Sequence, residues 1–184
     1  SKKELDITNP KLIKKYLKKK KATIVIHLAA LSRPMNLHEK NITKSIALNI
    51  IGTSNIVCVC ADKKIKLIYF STSYVYPGIT GNYKEDAPLK PINNYAWSKL
   101  GGECAVQLYN NSLILRVCMT EKPFIHKEAF SDVKTNFSYH EEVANMLLKL
   151  IYRKGIINVG GVIKSVYDFA KVSNPKIKRI SAKK

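Results

Sequence analysis

The chain has 184 residues, 46% hydrophobic and 24% charged, which suits one well-buried core but is short for a core plus a separate substrate domain. Its 32 Lys and Arg against 13 Asp and Glu give a net charge of +19, while the hydrophobic and charged fractions read as a globular rather than a disordered chain. The expectation is a soluble cytoplasmic protein: no apolar run approaches the length of a membrane span, and the N-terminus has no secretory core.

The elements follow in chain order. Pro10 in a first helical turn, behind the cap candidates Thr8 and Asn9, opens a helix to Lys19. Residues 22–28 form a short apolar run rich in β-branched residues, which predicts a buried parallel strand. Ile42, Ile46, Ile50 and Val57 recur at helical spacing and predict a long helix over 41–61. Further strands are predicted at 66–71, 112–117 and 156–159, and helices at 95–109, 139–152 and from Val166 to Lys171. The turn-rich stretch 77–94, with Gly78, Gly81, Pro88 and Pro91, follows a strand and is the usual home of a site. Strand and helix alternate, so the fold class is α/β: a Rossmann-like, doubly wound parallel sheet with helices on both faces, in one partial domain.

The lysines are spread, and only Arg33, Arg116, Arg153 and Arg179 could supply guanidinium forks. Nucleic-acid readers concentrate such forks with aromatics, so the charge reads as a solvated surface. Cys58, Cys60, Cys104 and Cys118 lack CxxC spacing and a companion His, which predicts small buried hydrophobes and no metal site.

Tyr95 and Lys99 stand four apart, on one helix face, where an ammonium near a phenol lowers the phenol's pKa toward a range useful for proton transfer. The spacing alone is weak, because Tyr16/Lys20 and Tyr167/Lys171 repeat it; those pairs read as tyrosines stacked on lysine stems. Context separates them. The apolar strand before Ser71, Thr72 and Ser73 ends in hydroxyls, and such strand ends face the crevice where open α/β sheets bind ligands. A hydroxyl donating to a carbonyl beside a proton-donating phenol is what ketone reduction needs.

Five motifs in order carry a family resemblance: HLAA (27–30), NIIGT (49–53), FSTSYVYPG (70–78), PINNYAWSKLGGE (91–103) and LILR (113–116). The chain resembles the extended short-chain dehydrogenase/reductases, and within them the dTDP-4-dehydrorhamnose reductases and related nucleotide-sugar epimerases and reductases. The resemblance runs from about Leu5 to Lys171. It implies NAD or NADP as cofactor, a nucleotide-activated sugar as substrate, and neither nucleic acid nor membrane as partner. It also implies Thr72 as the catalytic hydroxyl, Tyr95 as acid/base and Lys99 as the ribose-holding lysine. Leu28, Ala29 and Ala30 match the strand end against the dinucleotide, Asn49 a helix residue near the centre, and Asp6 and Ile7 the stretch near adenine. Ser73 stands where the rhamnose-type reductases often carry Asp, which leaves epimerases and dehydratases open. Met119 and Thr120 match the substrate loop on the nicotinamide side.

The phosphate-binding GxxGxxG of that family is absent, and Gly78/Gly81, Gly101/Gly102 and Gly160/Gly161 do not join a first strand to a first helix. The expectation is therefore a fragment lacking the first strand–helix–strand unit, on the order of 30 residues, and most of a C-terminal substrate part. Its first strand becomes an apolar edge open to pairing with a second copy, and the fragment alone is inactive. Two other readings stand beside the enzyme: a regulatory or scaffold member of the same fold, and a basic nucleic-acid-binding protein.

Overall fold

Four strands form the main sheet, β1 (Ile24–His27), β2 (Lys66–Thr72), β3 (Ser112–Val117) and β4 (Gly155–Val159), side by side in that order. The computed structural model describes residues 5–183. β1 and β2 are parallel, with Ile24 opposite Lys66 and His27 opposite Tyr69. Every residue of β2 and β3 is buried, so both pleat faces are covered. That is why these strands read as continuous apolar runs rather than alternations. β1 ends at His27, one residue earlier than expected, and leaves Leu28 59% exposed. Among the described residues β1 pairs with β2 alone, so it is a sheet edge.

Three helices cover this sheet. α1 (Pro10–Lys20) begins where the Asn9 side chain accepts from the Lys11 and Leu12 amides, and it buries Ile13 and Leu17. α2 (Ile42–Asp62) opens as an α-helix, widens into a π turn at Ile46–Ile51 and returns to α at Gly52. Periodicity alone had predicted one regular helix here. At 21 residues α2 is long and apolar enough to cross a membrane, against the expectation from sequence, yet 44% of its most apolar window is buried within the fold. Its buried positions include the polar Ser45, Asn49 and Thr53, as a core helix with internal partners would have. α3 (Asn94–Gln107) is capped by Asn93, whose side chain accepts from Ala96 N–H at 2.8 Å. Ile13, Ile56, Cys60, Leu67, Val106 and Ile114 meet in one core cluster of α1, α2, α3 and the sheet.

The glycine pair on α3 sets how close α2 can come. A Cβ on Gly102 would lie 2.5 Å from the Asn49 carbonyl oxygen and 2.8 Å from the Tyr69 hydroxyl; one on Gly101 would meet the Ile50 side chain at 2.7 Å. These glycines serve helix packing.

The chain's contacts divide it into two compact units, one running to Arg116 with Arg153–Asn158, the other Val117–Tyr152 with the residues from Val159 onward. The second unit is built from pairs of short strands. Met119–Thr120 runs parallel to Ser138–Tyr139, Glu128–Phe130 parallel to Lys178–Ile180, and Lys134–Thr135 antiparallel to Lys164–Ser165. With α4 (His140–Leu150) and α5 (Val166–Ser173) it gathers a small core of Phe124, Tyr139, Phe169 and Ile177. Strands of two or three residues carry no readable period, so the sequence pattern missed them.

Gly102→Ala is expected to cost about 1–3 kcal/mol, because the atom it meets is backbone and cannot turn aside. Gly101→Ala meets only the end of Ile50 and should cost less. Thermal melts of the two variants check this order; equal melting temperatures would show that α2 and α3 are free to separate.

Candidate active site

The end of β2 and the first turns of α3 bring the predicted proton-transfer groups together. Thr72 closes β2, its Oγ1 accepts from Tyr74 N–H at 3.3 Å, and its hydroxyl stands close enough to the Tyr95 phenol to lower that phenol's pKa. Lys99 follows one turn along α3 and is only 4% exposed. Its ammonium sits 4.2 Å over the ring of Tyr69, while the Tyr69 hydroxyl donates to the Lys99 carbonyl at 3.0 Å. The two look-alike pairs differ in this respect: Lys20 lies over Tyr16 at 5.9 Å and Lys171 over Tyr167 at 5.8 Å, each on its own tyrosine.

The electrostatics correct one expectation. Burial pushes the Tyr95 phenol above its ordinary pKa, and Tyr74 adds to that; the Thr72 hydrogen bond and the Arg33 charge pull it back in part. The opposing cation is therefore Arg33, because the Lys99 ammonium is turned toward Tyr69. Burial lowers Lys99 to about 7, opposed by the Glu103 carboxylate. Burial and then the Lys99 charge lower His27 to about 3, and His27 Nε2 shares a 3.0 Å hydrogen bond with Thr53 Oγ1.

Asn49 is fully buried in the π turn of α2. Its Oδ1 accepts from Leu31 N–H at 2.7 Å, and its Nδ2 donates to the Leu31 carbonyl at 2.9 Å and to Ser98 Oγ at 2.8 Å. Ser98 Oγ in turn donates to the Tyr95 carbonyl at 2.7 Å. Asn49 thus ties the loop after β1 to the turn that carries Tyr95, with its amide engaged by protein groups.

The other predicted positions scatter. Leu28 and Ala29 are exposed past the end of β1 and Ala30 is half-buried. Ser73 is half-buried at the start of a 3-10 turn, where its carbonyl accepts from Tyr76 N–H. Ile7 is buried in the core against Gly52, and Asp6 accepts from Thr8 N–H at 2.9 Å before α1. Met119 and Thr120 belong to the second unit. Of the four cysteines, all free, Cys60 and Cys118 are buried as expected while Cys58 and Cys104 are exposed. No cluster of His, Cys, Asp and Glu able to hold a metal occurs among the described residues.

Sequence reasoning missed the partners behind the site: His27, His38, Glu103 and Arg116. His38 is 1% exposed, shares a 2.7 Å hydrogen bond with Ser45 Oγ and meets the Tyr95 ring edge-on at 5.3 Å. Glu103 and Arg116 form a buried ion pair at 2.6 Å. One signal for Glu103 was available, its spacing of four from Lys99; nothing in the pattern paired it with a strand arginine.

These features define an α/β protein with a phenol, a buried lysine and a strand-end hydroxyl gathered beside a mostly parallel sheet. Residues 1–121 match the RmlD substrate binding domain, and the chain belongs to that family. It is 35% identical over 115 residues to methionine adenosyltransferase 2 subunit beta of Xenopus laevis, covering 61% of this chain and 34% of that protein. It is 32% identical over 104 residues to the dTDP-4-keto-6-deoxy-D-glucose reductase of Streptomyces niveus, covering 56% of this chain and 36% of that one. The dTDP-4-dehydrorhamnose reductase of Bacillus anthracis, solved in complex with NADP, superposes with a TM-score of 0.88 at 27% identity, over 99% of this chain and 74% of that one. The chain spans about a third of the length of these curated relatives (34% and 36%).

His27 gives a test of this electrostatic arrangement. With its pKa lowered to about 3 from an ordinary 6.5, the folded chain binds fewer protons than the unfolded chain between those values. Stability should therefore fall as pH drops from 6.5 toward 3. His27→Gln should flatten that part of the profile in pH-dependent melts; an unchanged slope would show that His27 is not buried in its neutral form.

Proposed function

We propose that this chain supplies the proton-transfer side of an NAD(P)-dependent reductase or epimerase acting on a nucleotide-activated deoxysugar. The observation that carries the reading is the Thr72 hydroxyl beside the Tyr95 phenol, next to a buried Lys99. Tyr95, held protonated by burial, donates to the oxygen of a substrate carbonyl, while the Thr72 hydroxyl holds that oxygen in place. The fit of a dinucleotide rests on Lys99, whose ammonium makes no hydrogen bond among the described residues and would find acceptors in ribose hydroxyls. The exposed strand end Leu28–Ala29, with its small second residue, gives a flat group room to approach. A nicotinamide cofactor held by these residues would supply the hydride. The relatives named as dTDP-sugar reductases, one of them solved with NADP, support the cofactor and substrate class.

The glycines seen here serve packing or turns, and among the described residues no glycine-rich loop offers backbone N–H groups to a pyrophosphate. The free edge of β1, with Ile26 42% exposed, is the place where a further strand or a second copy would pair. A second reading, a regulatory subunit of the same fold, is favoured by the relative named as a subunit of methionine adenosyltransferase.

Tyr95→Phe should leave dinucleotide affinity intact and lower turnover by about 100-fold or more. Lys99→Met should weaken both. Calorimetry with NADP and NAD, together with steady-state reduction of a dTDP-4-keto-deoxysugar, separates the readings. Turnover within a few-fold of wild type in Tyr95→Phe would mean another acid is at work, and no turnover in the wild type would favour the regulatory subunit.

A further inference from the structure

The turn that carries Thr72 is fastened on both flanks by one buried ion pair. Glu103 on α3 accepts from Arg116 of β3, at 2.6 Å from Nη2 and at 3.1 Å from Nε, and both side chains are buried. On one side of the pair stands the end of β2, where Ser71, the residue before Thr72, donates from Oγ to Glu103 Oε2 at 2.6 Å. On the other side stands the loop after β2. Arg116 donates from Nη1 to the Tyr76 hydroxyl at 2.6 Å and to the Glu85 carbonyl at 2.8 Å. Only residues 72–75 lie between the two attachments, at Ser71 and at Tyr76. We propose that Arg116 is a positioning residue for the candidate active site: together with Glu103 it staples both flanks of the Thr72 turn to the helix that carries Tyr95 and Lys99.

A buried ion pair adds little stability over two apolar side chains of similar volume, because desolvation offsets the attraction. What this pair adds is direction. A guanidinium is planar and holds its N–H groups in a fixed fork, so its edges can serve two elements at once. Here Nε and Nη2 face the carboxylate on α3, and Nη1 faces the loop. Ring contacts extend the same line: the guanidinium lies 5.1 Å from the Tyr76 ring centre, and Tyr83 stacks on Tyr76 at 5.0 Å. The Tyr76 hydroxyl passes its own proton to Asn158 Oδ1 at 2.9 Å, so the loop-side anchor is itself held from β4. Between the flanks, Tyr74 N–H donates to Thr72 Oγ1 at 3.3 Å, and the Val75 and Tyr74 carbonyls accept from the Lys90 and Ile92 amides at 2.9 and 3.3 Å. Those bonds shape the turn; the bonds of Ser71 and Tyr76 place it against α3.

The effect of this turn on turnover rests on the function proposed above; the stapling itself does not. Ser71→Ala removes the strand-side bond, and Tyr76→Phe removes the loop-side bond while keeping the ring. Arg116→Lys keeps the charge without the fork. Amide hydrogen exchange of the ligand-free protein, followed by NMR, reads the turn at Tyr74, Lys90 and Ile92 and the sheet core at Ile68 and Ile114. In all three variants exchange at the turn should rise by about 10-fold more than at the core. An unchanged turn in the folded Ser71→Ala and Tyr76→Phe variants, or an equal rise in turn and core, would overturn the proposal and leave the pair a part of the core. Wild-type exchange in Arg116→Lys would overturn it too, since charge alone would then suffice. Steady-state reduction of a dTDP-4-keto-deoxysugar, with NADP binding followed by calorimetry, reads the consequence for the site. Tyr76→Phe should lower kcat about 10-fold with NADP affinity unchanged, a split that lost stability alone does not produce. A loosened turn with wild-type kcat would overturn the positioning role. If the turn loosens in the variants but the wild type reduces no sugar, the stapling stands and the reductase reading falls.

Discussion

The close approach of α2 and α3 at Gly102 is the constraint from which the site follows. With no side chain at Gly102, the Asn49 carbonyl and the Tyr69 hydroxyl can both come to the surface of α3. Tyr69 then reaches the Lys99 carbonyl, and Asn49 reaches Ser98 and, through it, the carbonyl of Tyr95. The π turn is the counterpart on α2: inside an otherwise regular helix it offsets Asn49, a feature frequent where a helix must present a polar group inward. The orientation of the phenol thus rests on helix packing, well away from the strand end it faces.

That packing also creates the electrostatic problem of the site. Lys99 and His27 are both buried on one side of the sheet, and two cations there would repel each other. His27 settles as a neutral ring bonded to Thr53, which confines the positive charge to one position. Arg116 is a further buried cation, matched by Glu103 and by hydrogen bonds to Tyr76 and Glu85. Through these bonds the loop after β2 is tied to the same cluster: Tyr76 stacks on Tyr83 at 5.0 Å, and Asn158 bonds Tyr76 and Tyr83. A long turn-rich loop is held in place by one buried arginine and one asparagine.

The sequence showed the elements whose physics repeats along the chain. β2 and β3 are buried on both faces and so spell unbroken apolar runs, and α1 announces itself through Asn9 and Pro10. The Tyr95/Lys99 pair stood out from its two look-alikes only through the hydroxyls ending β2, and the structure separates them by where each ammonium lies. What the sequence could not show were relations between distant positions: Arg33 as the cation near Tyr95, Arg116 as the partner of Glu103, the π turn at Asn49. The π turn is decided by what packs against the helix, since Ile42, Ile46 and Ile50 satisfy a regular period equally well. The short strands of the second unit are held by their neighbours, with no local pattern of their own.

The two protonation states at the site suit one direction of chemistry. Burial raises the Tyr95 phenol above its ordinary pKa, so at neutral pH the group is a hydrogen-bond and proton donor. Lys99 near 7 is divided between ammonium and amine at the same pH. A ligand that offers oxygen acceptors to Lys99 favours the ammonium and therefore takes up a proton on binding, as linkage requires. That charge faces the Tyr69 ring, so the cation that favours ionisation of the Tyr95 phenol is Arg33, supplied by the loop after β1.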